Sequence, residues 1–236
     1  MIIRDITDLH DIDLDSLKYI GGGNYGCVYK YGDRVLKVYH DQEIMAKLEE
    51  RHQESFFKFL KELDEKKIPI LVCANEVFKN KENYVEGYIS DYIEGIRLDS
   101  DFGEMDINVI MNILINFYLE LLKIDDLILY DAKEVNLILG SNLKIIDLDL
   151  AEFNKNLKFD VVGKNLQILN VAIFRAIIRQ SVYRKIENNL NEIVQEIING
   201  KIPLPILLKE YIDYINKHYF EVKKVKDLRY PYAGRI

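Results

Sequence analysis

Four sets of residues in this chain carry groups suited to handling phosphate: a glycine turn at Gly21-Gly22-Gly23-Asn24-Tyr25-Gly26, a lysine at Lys37, a loop Asp131-Ala132-Lys133-Glu134-Val135-Asn136, and the acids of Asp147-Leu148-Asp149. Glycine lets backbone approach an anion, lysine neutralises it, and Asp and Asn oxygens hold Mg²⁺ and orient a hydroxyl nucleophile. Each set alone has a plainer reading: a glycine-rich hairpin, an edge lysine that snorkels to water, a polar turn, a strand with acids facing solvent. In this order and at these distances they read together as an ATP site.

The glycine segment fits G-x-G-x-x-G-x-V through Gly21, Gly23, Gly26 and Val28, and it lies between two strand-like runs rather than between a strand and a helix. That placement suits a flap over nucleotide phosphates, not a dinucleotide-binding turn. Lys37 stands eleven residues beyond Gly26, among the apolar neighbours Val35, Leu36 and Val38. There it is expected to neutralise the α and β phosphates, held by an acid of the next helix, Glu54 in the first place and Glu50 in the second. In the D-x-K-x-x-N loop, Asp131 would accept or orient the proton of the attacking hydroxyl, Lys133 would steady the transferring phosphate, and Asn136 would bind metal through its amide oxygen. Asp147 follows Asn136 by eleven residues. A hairpin of strands over 137–139 and 143–146, turning at Gly140-Ser141-Asn142, would bring the two back to one Mg²⁺.

The elements that must position these groups are legible from periodicity. Runs over 17–20, 25–31 and 34–39 are rich in β-branched and aromatic residues and predict three antiparallel strands; 41–66 turns helical; 70–78 and 84–93 predict two more strands. After Gly95, read as a hinge, helices are expected over 106–123, 160–180, 183–198 and 204–218, interrupted by the hairpin. The expected fold is α+β and two-lobed. Residues 1–94 would form a five-stranded antiparallel sheet with one helix, and residues 95–236 a mainly helical lobe, with a cleft at the hinge.

Composition agrees with a packed protein: 236 residues, 49% apolar and 30% charged, enough chain to bury roughly 70 to 75% of its unfolded surface. A net charge of −7 argues against broad nucleic-acid binding, and the basic tail from Lys223 to Arg235 reads as a solvated terminus. Cys27 and Cys73 suggest neither a disulfide framework nor a zinc site, and the four histidines show no ligand spacing. The N-terminus has no leader pattern, so a reducing cytoplasm is the expected location. Charged residues interrupt the longest apolar runs, such as 107–128, and no membrane partner is expected.

From the glycine turn to the helix after Asp160, the chain resembles the protein-kinase-like superfamily. The resemblance implies that Gly21, Gly23, Gly26 and Val28 cover ATP, that Lys37 and Glu54 form the strand-helix ion pair, and that Asp91-Tyr92-Ile93 is the adenine hinge, with Asp91 and Ile93 against the base. It further implies Asp131 as catalytic base, Lys133 beside it, and Asn136 and Asp147 as Mg²⁺ ligands. The departures are informative. Leu129-Tyr130-Asp131 stands for His-Arg-Asp, Asp147-Leu148-Asp149 for Asp-Phe-Gly, and no Ala-Pro-Glu follows. Between Ser141 and Ser181 there is no Ser, Thr or Tyr to be phosphorylated. The short segment after Asp149 is similar to those of compact atypical kinases, including the RIO type, and of aminoglycoside and choline kinases. Asp160 is expected to anchor the catalytic loop. The resemblance implies an ATP- and Mg²⁺-dependent kinase whose acceptor is a Ser or Thr hydroxyl of a protein; the alternatives are a small-molecule kinase and a nucleotide-binding pseudokinase.

Overall fold

The computed structural model describes residues 1–40, 42–52, 55–81, 84–154, 159–178, 192, 195–197, 199–200 and 202–229. The chain divides into two compact units, Met1–Ile93 and Glu94–Ile236.

In the first unit, strands β1 (Ile2–Asp5), β2 (Lys18–Gly22), β3 (Gly26–Tyr31), β4 (Arg34–Tyr39), β5 (Ala74–Lys79) and β6 (Val85–Asp91) form one sheet in the order β1-β5-β6-β4-β3-β2. Six strands replace the expected five. The additional one, β1, runs parallel to β5 with Ile2 opposite Glu76 and Asp5 opposite Lys79, whereas the other neighbours are antiparallel. Its four residues are all exposed, so it lacks the alternation that marks a half-buried strand. Side-chain bonds hold it instead: Arg4 of β1 and Arg34 of β4 both donate to the buried Glu76 carboxylate. Burial pushes the Glu76 carboxyl up, but the hydrogen bonds and charges of Arg34 and Arg4 outweigh it and hold the group below the usual glutamate range.

Helices α1 (Ile6–His10), α2 (Gln42–His52) and α3 (Phe56–Lys66) complete this unit. One helix over 41–66 is expected; there are two, because Ser55 takes an extended conformation (φ −56°, ψ 126°) at the start of α3. The strand period of two sorts side chains between the sheet faces. Leu36, Phe78 and Ile89 pack with Leu9 of α1 and with Ile12, Leu14, Leu17 and Val38. The alternate residues of β4 point the other way, where Tyr39 meets Phe56 of α3 edge-on at 5.9 Å between ring centroids. Lys37 falls on this second face.

In the second unit, helices α4 (Ile107–Leu121), α5 (Val161–Ile178) and α6 (Leu204–His218) pack against one another. Short strands β7 (Ile96–Arg97), β8 (Leu127–Ile128), β9 (Leu137–Leu139), β10 (Leu143–Ile145) and β11 (Glu152–Phe153) form two small sheets, β10-β9-β7 and β11-β8. Most of the helix expected over 183–198 lies outside the described residues. A Cβ at Gly95 would lie 2.5 Å from the Leu139 carbonyl oxygen, so the close approach of β9 requires a glycine.

By length and composition α5, with 18 residues at mean hydropathy 1.4, is apolar enough to cross a bilayer, contrary to the sequence expectation. Yet 61% of it is buried inside the fold, as in the core helix of a packed protein. It also carries two fully buried asparagines with satisfied hydrogen bonds. Asn170 accepts from Tyr118 Oη of α4 (2.7 Å) and from the Leu204 N–H at the start of α6 (3.1 Å), and donates to the Ile202 carbonyl (2.8 Å). One side chain thus fastens three helices and satisfies an N-terminal N–H of α6 that has no partner within that helix.

Candidate functional site

In the first unit, β2 and β3 are joined by Gly23-Asn24-Tyr25, and the turn closes with Gly23 N–H donating to the Gly26 carbonyl at 3.1 Å. A Cβ at Gly26 would sit 2.3 Å from the Val38 carbonyl oxygen, so only glycine lets β4 come this close. Gly21 and Gly23 differ: a Cβ at either would have nothing within 4 Å. Their missing side chains answer no packing need and leave backbone open to approach. Val28 pairs directly with Lys37 across β3 and β4, and Tyr88 pairs with Lys37 across β4 and β6. Lys37 is 4% exposed, with its ammonium 5.5 Å from the Tyr39 ring centroid and 5.9 Å from that of Tyr88, within cation–π range. This burial removes the snorkelling alternative.

The other members of the first-unit set are placed as follows. Glu54 lies outside the described residues, and Glu50 is an exposed residue of α2. Asp91 ends β6, exposed, and accepts from Asn75 Nδ2 at 2.6 Å; half-buried Ile93 closes the unit.

In the second unit, one chain of hydrogen bonds organises Asp131, Lys133 and Asn136. Lys133 Nζ lies 2.9 Å from Asp131 Oδ1, and Asn136 Nδ2 donates to Asp131 Oδ2 and to the Asp131 carbonyl, both at 2.9 Å. The backbone follows the same path: Lys133 N–H donates to the Asp131 carbonyl and Asn136 N–H to the Lys133 carbonyl, each at 2.8 Å, winding 134–136 into a 3₁₀ turn. The β9–β10 hairpin then returns the chain, and Ile146 N–H donates to the Asn136 carbonyl at 2.9 Å. Asp147, next in sequence, has φ 57°, a left-handed conformation uncommon outside glycine and most tolerable for Asn and Asp. Strain of this kind collects at functional sites, where surrounding structure over-determines it.

Asp131 and Asp147 line one small depression with Leu129, Ala132, Ile145, Leu148 and Ala151. It is small and partly open to solvent, far below the roughly 300 to 1,000 Å³ of a small-molecule pocket. No cluster of three or more His, Cys, Asp or Glu side chains suited to a metal occurs among the described residues. Mg²⁺ does not need one, since it is commonly held by one or two protein oxygens plus phosphate and water. The donor set fits: the NH₂ of Asn136 is committed to Asp131, which turns its amide oxygen, a hard ligand, to the opposite side.

Two features were not legible beforehand. Asp160, expected to anchor the catalytic loop, is exposed and caps α5 instead, accepting from Gly163 N–H at 2.8 Å. The anchor is Asn165, one helical turn later: its Oδ1 accepts from Leu129 N–H (2.9 Å) and its Nδ2 donates to the Leu127 carbonyl (2.8 Å). An asparagine holds both a donor and an acceptor of β8 and the residue after it, a pairing that a carboxylate cannot make. The second is Asp149, 1% exposed where an acid facing solvent was the plainer reading.

No family model matches the chain, and no curated protein matches it in sequence. Solved structures do match. One is a pseudokinase in its apo form, at 10% sequence identity and a TM-score of 0.56, over 91% of this chain and 95% of that one. At this identity the likeness concerns the fold, and with the sheet-bearing first unit and the helical second unit it makes this chain an α+β protein with a kinase-like fold.

Proposed function

We propose that this protein is a Mg²⁺-dependent, ATP-using phosphotransferase of the kinase type, transferring the γ-phosphate to a hydroxyl of Ser or Thr in a protein. One observation carries the reading: Asp131 is gripped by Lys133 and Asn136 through its two carboxylate oxygens, and shares a depression with the strained Asp147. A polar turn with no task needs neither the strain nor the convergence. In this reading Mg²⁺, when bound, neutralises charge on the phosphates, and Asn136 and Asp147 are its protein ligands. Asp131 accepts a hydrogen bond from the acceptor hydroxyl and takes its proton. Lys133, already beside Asp131, steadies the transferred group, and the buried Lys37 neutralises the remaining phosphates. Gly21, Gly23 and Gly26 with Val28 cover the nucleotide, and the chain at Asp91 to Ile93 meets the base.

A second acceptor class has its own support. Only eleven residues separate Asp149 from the start of α5 at Val161, a short interval in which to build a peptide platform. A small-molecule hydroxyl suits that interval. The test is Mg²⁺-dependent transfer from γ-³²P-ATP, with label counted on the chain itself, on an unstructured Ser/Thr-rich protein and on small polyhydroxyl and aminoglycoside compounds. Asp131→Asn and Asp147→Asn are expected to lose roughly 10²-fold or more. Equal transfer by the variants and the wild type overturns the assignment. Thermal stabilisation by Mg·ATP without any transfer identifies a pseudokinase instead.

A further inference from the structure

We infer that His40 is the latch that sets the glycine turn for phosphate, a positioning residue directly after the strand that carries Lys37. His40 follows β4 directly and grips the turn by both arms. Its backbone N–H donates to the Tyr25 carbonyl at 3.1 Å, and its ring Nε2 lies 3.0 Å from the Gly23 carbonyl oxygen. A carbonyl can only accept, so Nε2 carries the proton and donates. The peptide unit is planar and trans, with its C=O and N–H pointing opposite ways. With the Gly23 carbonyl turned toward His40, the Asn24 N–H is turned away from it and offered to an approaching anion.

The turn needs such a device. Gly22 and Gly23 are exposed, Gly21 and Gly23 meet nothing at the Cβ position, and a glycine-rich segment loses more conformational freedom on ordering than any other. Ordering the turn before a ligand arrives removes part of that cost from binding. Lys37 lies on β4, three residues before His40, so the buried cation and the latched turn share one rigid support. The ring of His40 is exposed and makes this contact with backbone, which leaves its role local to the turn.

This inference rests on the nucleotide reading, and two measurements separate them. The first uses the nucleotide-free protein: amide hydrogen exchange at Gly23, whose N–H closes the turn on the Gly26 carbonyl, is expected to quicken roughly three- to tenfold in His40→Ala, the loss of one net hydrogen bond, and to return in His40→Gln, whose amide NH₂ reaches the position of Nε2. The second is the Kd for Mg·ATP, expected to rise roughly three- to tenfold in His40→Ala and to recover in His40→Gln. Unchanged exchange in His40→Ala, or a His40→Gln variant as loose as the alanine, overturns the latch. Wild type that binds no Mg·ATP overturns the nucleotide reading and the phosphate role of the latch with it, while the exchange experiment still reports whether His40 holds the turn.

Discussion

The Asn136 side chain donates to the carboxylate of Asp131 at 2.9 Å, and the same residue's carbonyl accepts from Ile146, the neighbour of Asp147. Asn136 is therefore the joint between the loop that carries the candidate base and the strand end that carries the second acid. Replacing it with Ala would leave Asp131 Oδ2 without this donor and remove the oxygen proposed as a metal ligand. Asn136→Ala is expected to abolish the thermal shift by Mg·ATP, and to lower the melting temperature by a few degrees, as loss of a partly buried hydrogen bond worth about 1 kcal/mol does. Differential scanning fluorimetry with and without Mg·ATP reads both effects.

Asp147 offers the reverse case. Its φ of 57° strains an L-residue, so of two variants that both lose the side chain and the metal response, Asp147→Gly is expected to be more stable than Asp147→Ala by about 0.5 to 1 kcal/mol. Urea unfolding of the two variants checks the order.

Asn165 is fully buried and spans the Leu127 carbonyl and the Leu129 N–H. Asn165→Leu is near in size but leaves both groups buried and unpaired, at a cost of about 1 to 3 kcal/mol each. Chemical denaturation is expected to show a total loss of about 2 to 5 kcal/mol. Asp160→Ala, which removes only an exposed helix cap, is expected to cost about 1 kcal/mol.

Acid stability is expected to depend on Glu76. Its carboxyl is depressed in the folded state, so the bonds from Arg4 and Arg34 contribute stability that is fully present above the ordinary glutamate value of 4.5 and fades as pH falls through the lower folded value. Glu76→Gln is expected to be less stable than wild type at pH 7, with the difference shrinking below pH about 4.5. Unfolding midpoints at pH 7, 5 and 3.5 check the sign.

Cys73 is packed against α3, with its Sγ 3.8 Å from the Leu63 carbonyl, and burial pushes its thiol up to about 12. Only the thiolate is alkylated. Iodoacetamide at pH 8 is expected to spare Cys73 in the native protein and to modify it in denaturant, as peptide mass spectrometry would show. Modification of Cys73 at the same rate in both states would contradict this packing.

Local patterning determined much of this molecule. The strands around the glycine turn, the helix of 204–218 and the hairpin between Asn136 and Asp147 were legible because a strand with one buried face, or a helix with one apolar stripe, writes its period into the residues. The D-x-K-x-x-N spacing likewise held the Asp131, Lys133 and Asn136 contacts, which lie within six consecutive residues. Long-range pairing decided the rest. An exposed strand such as β1 is held by Glu76, which lies 72 residues from Arg4 in the chain, and no period marks it. Asn165 and Asp160 are both short polar residues at the start of one helix; which anchors the loop depends on which faces β8, and packing alone chooses that. His40 reads as an ordinary residue after a strand, because its partner, the Gly23 carbonyl, is backbone and leaves no mark in the residue types.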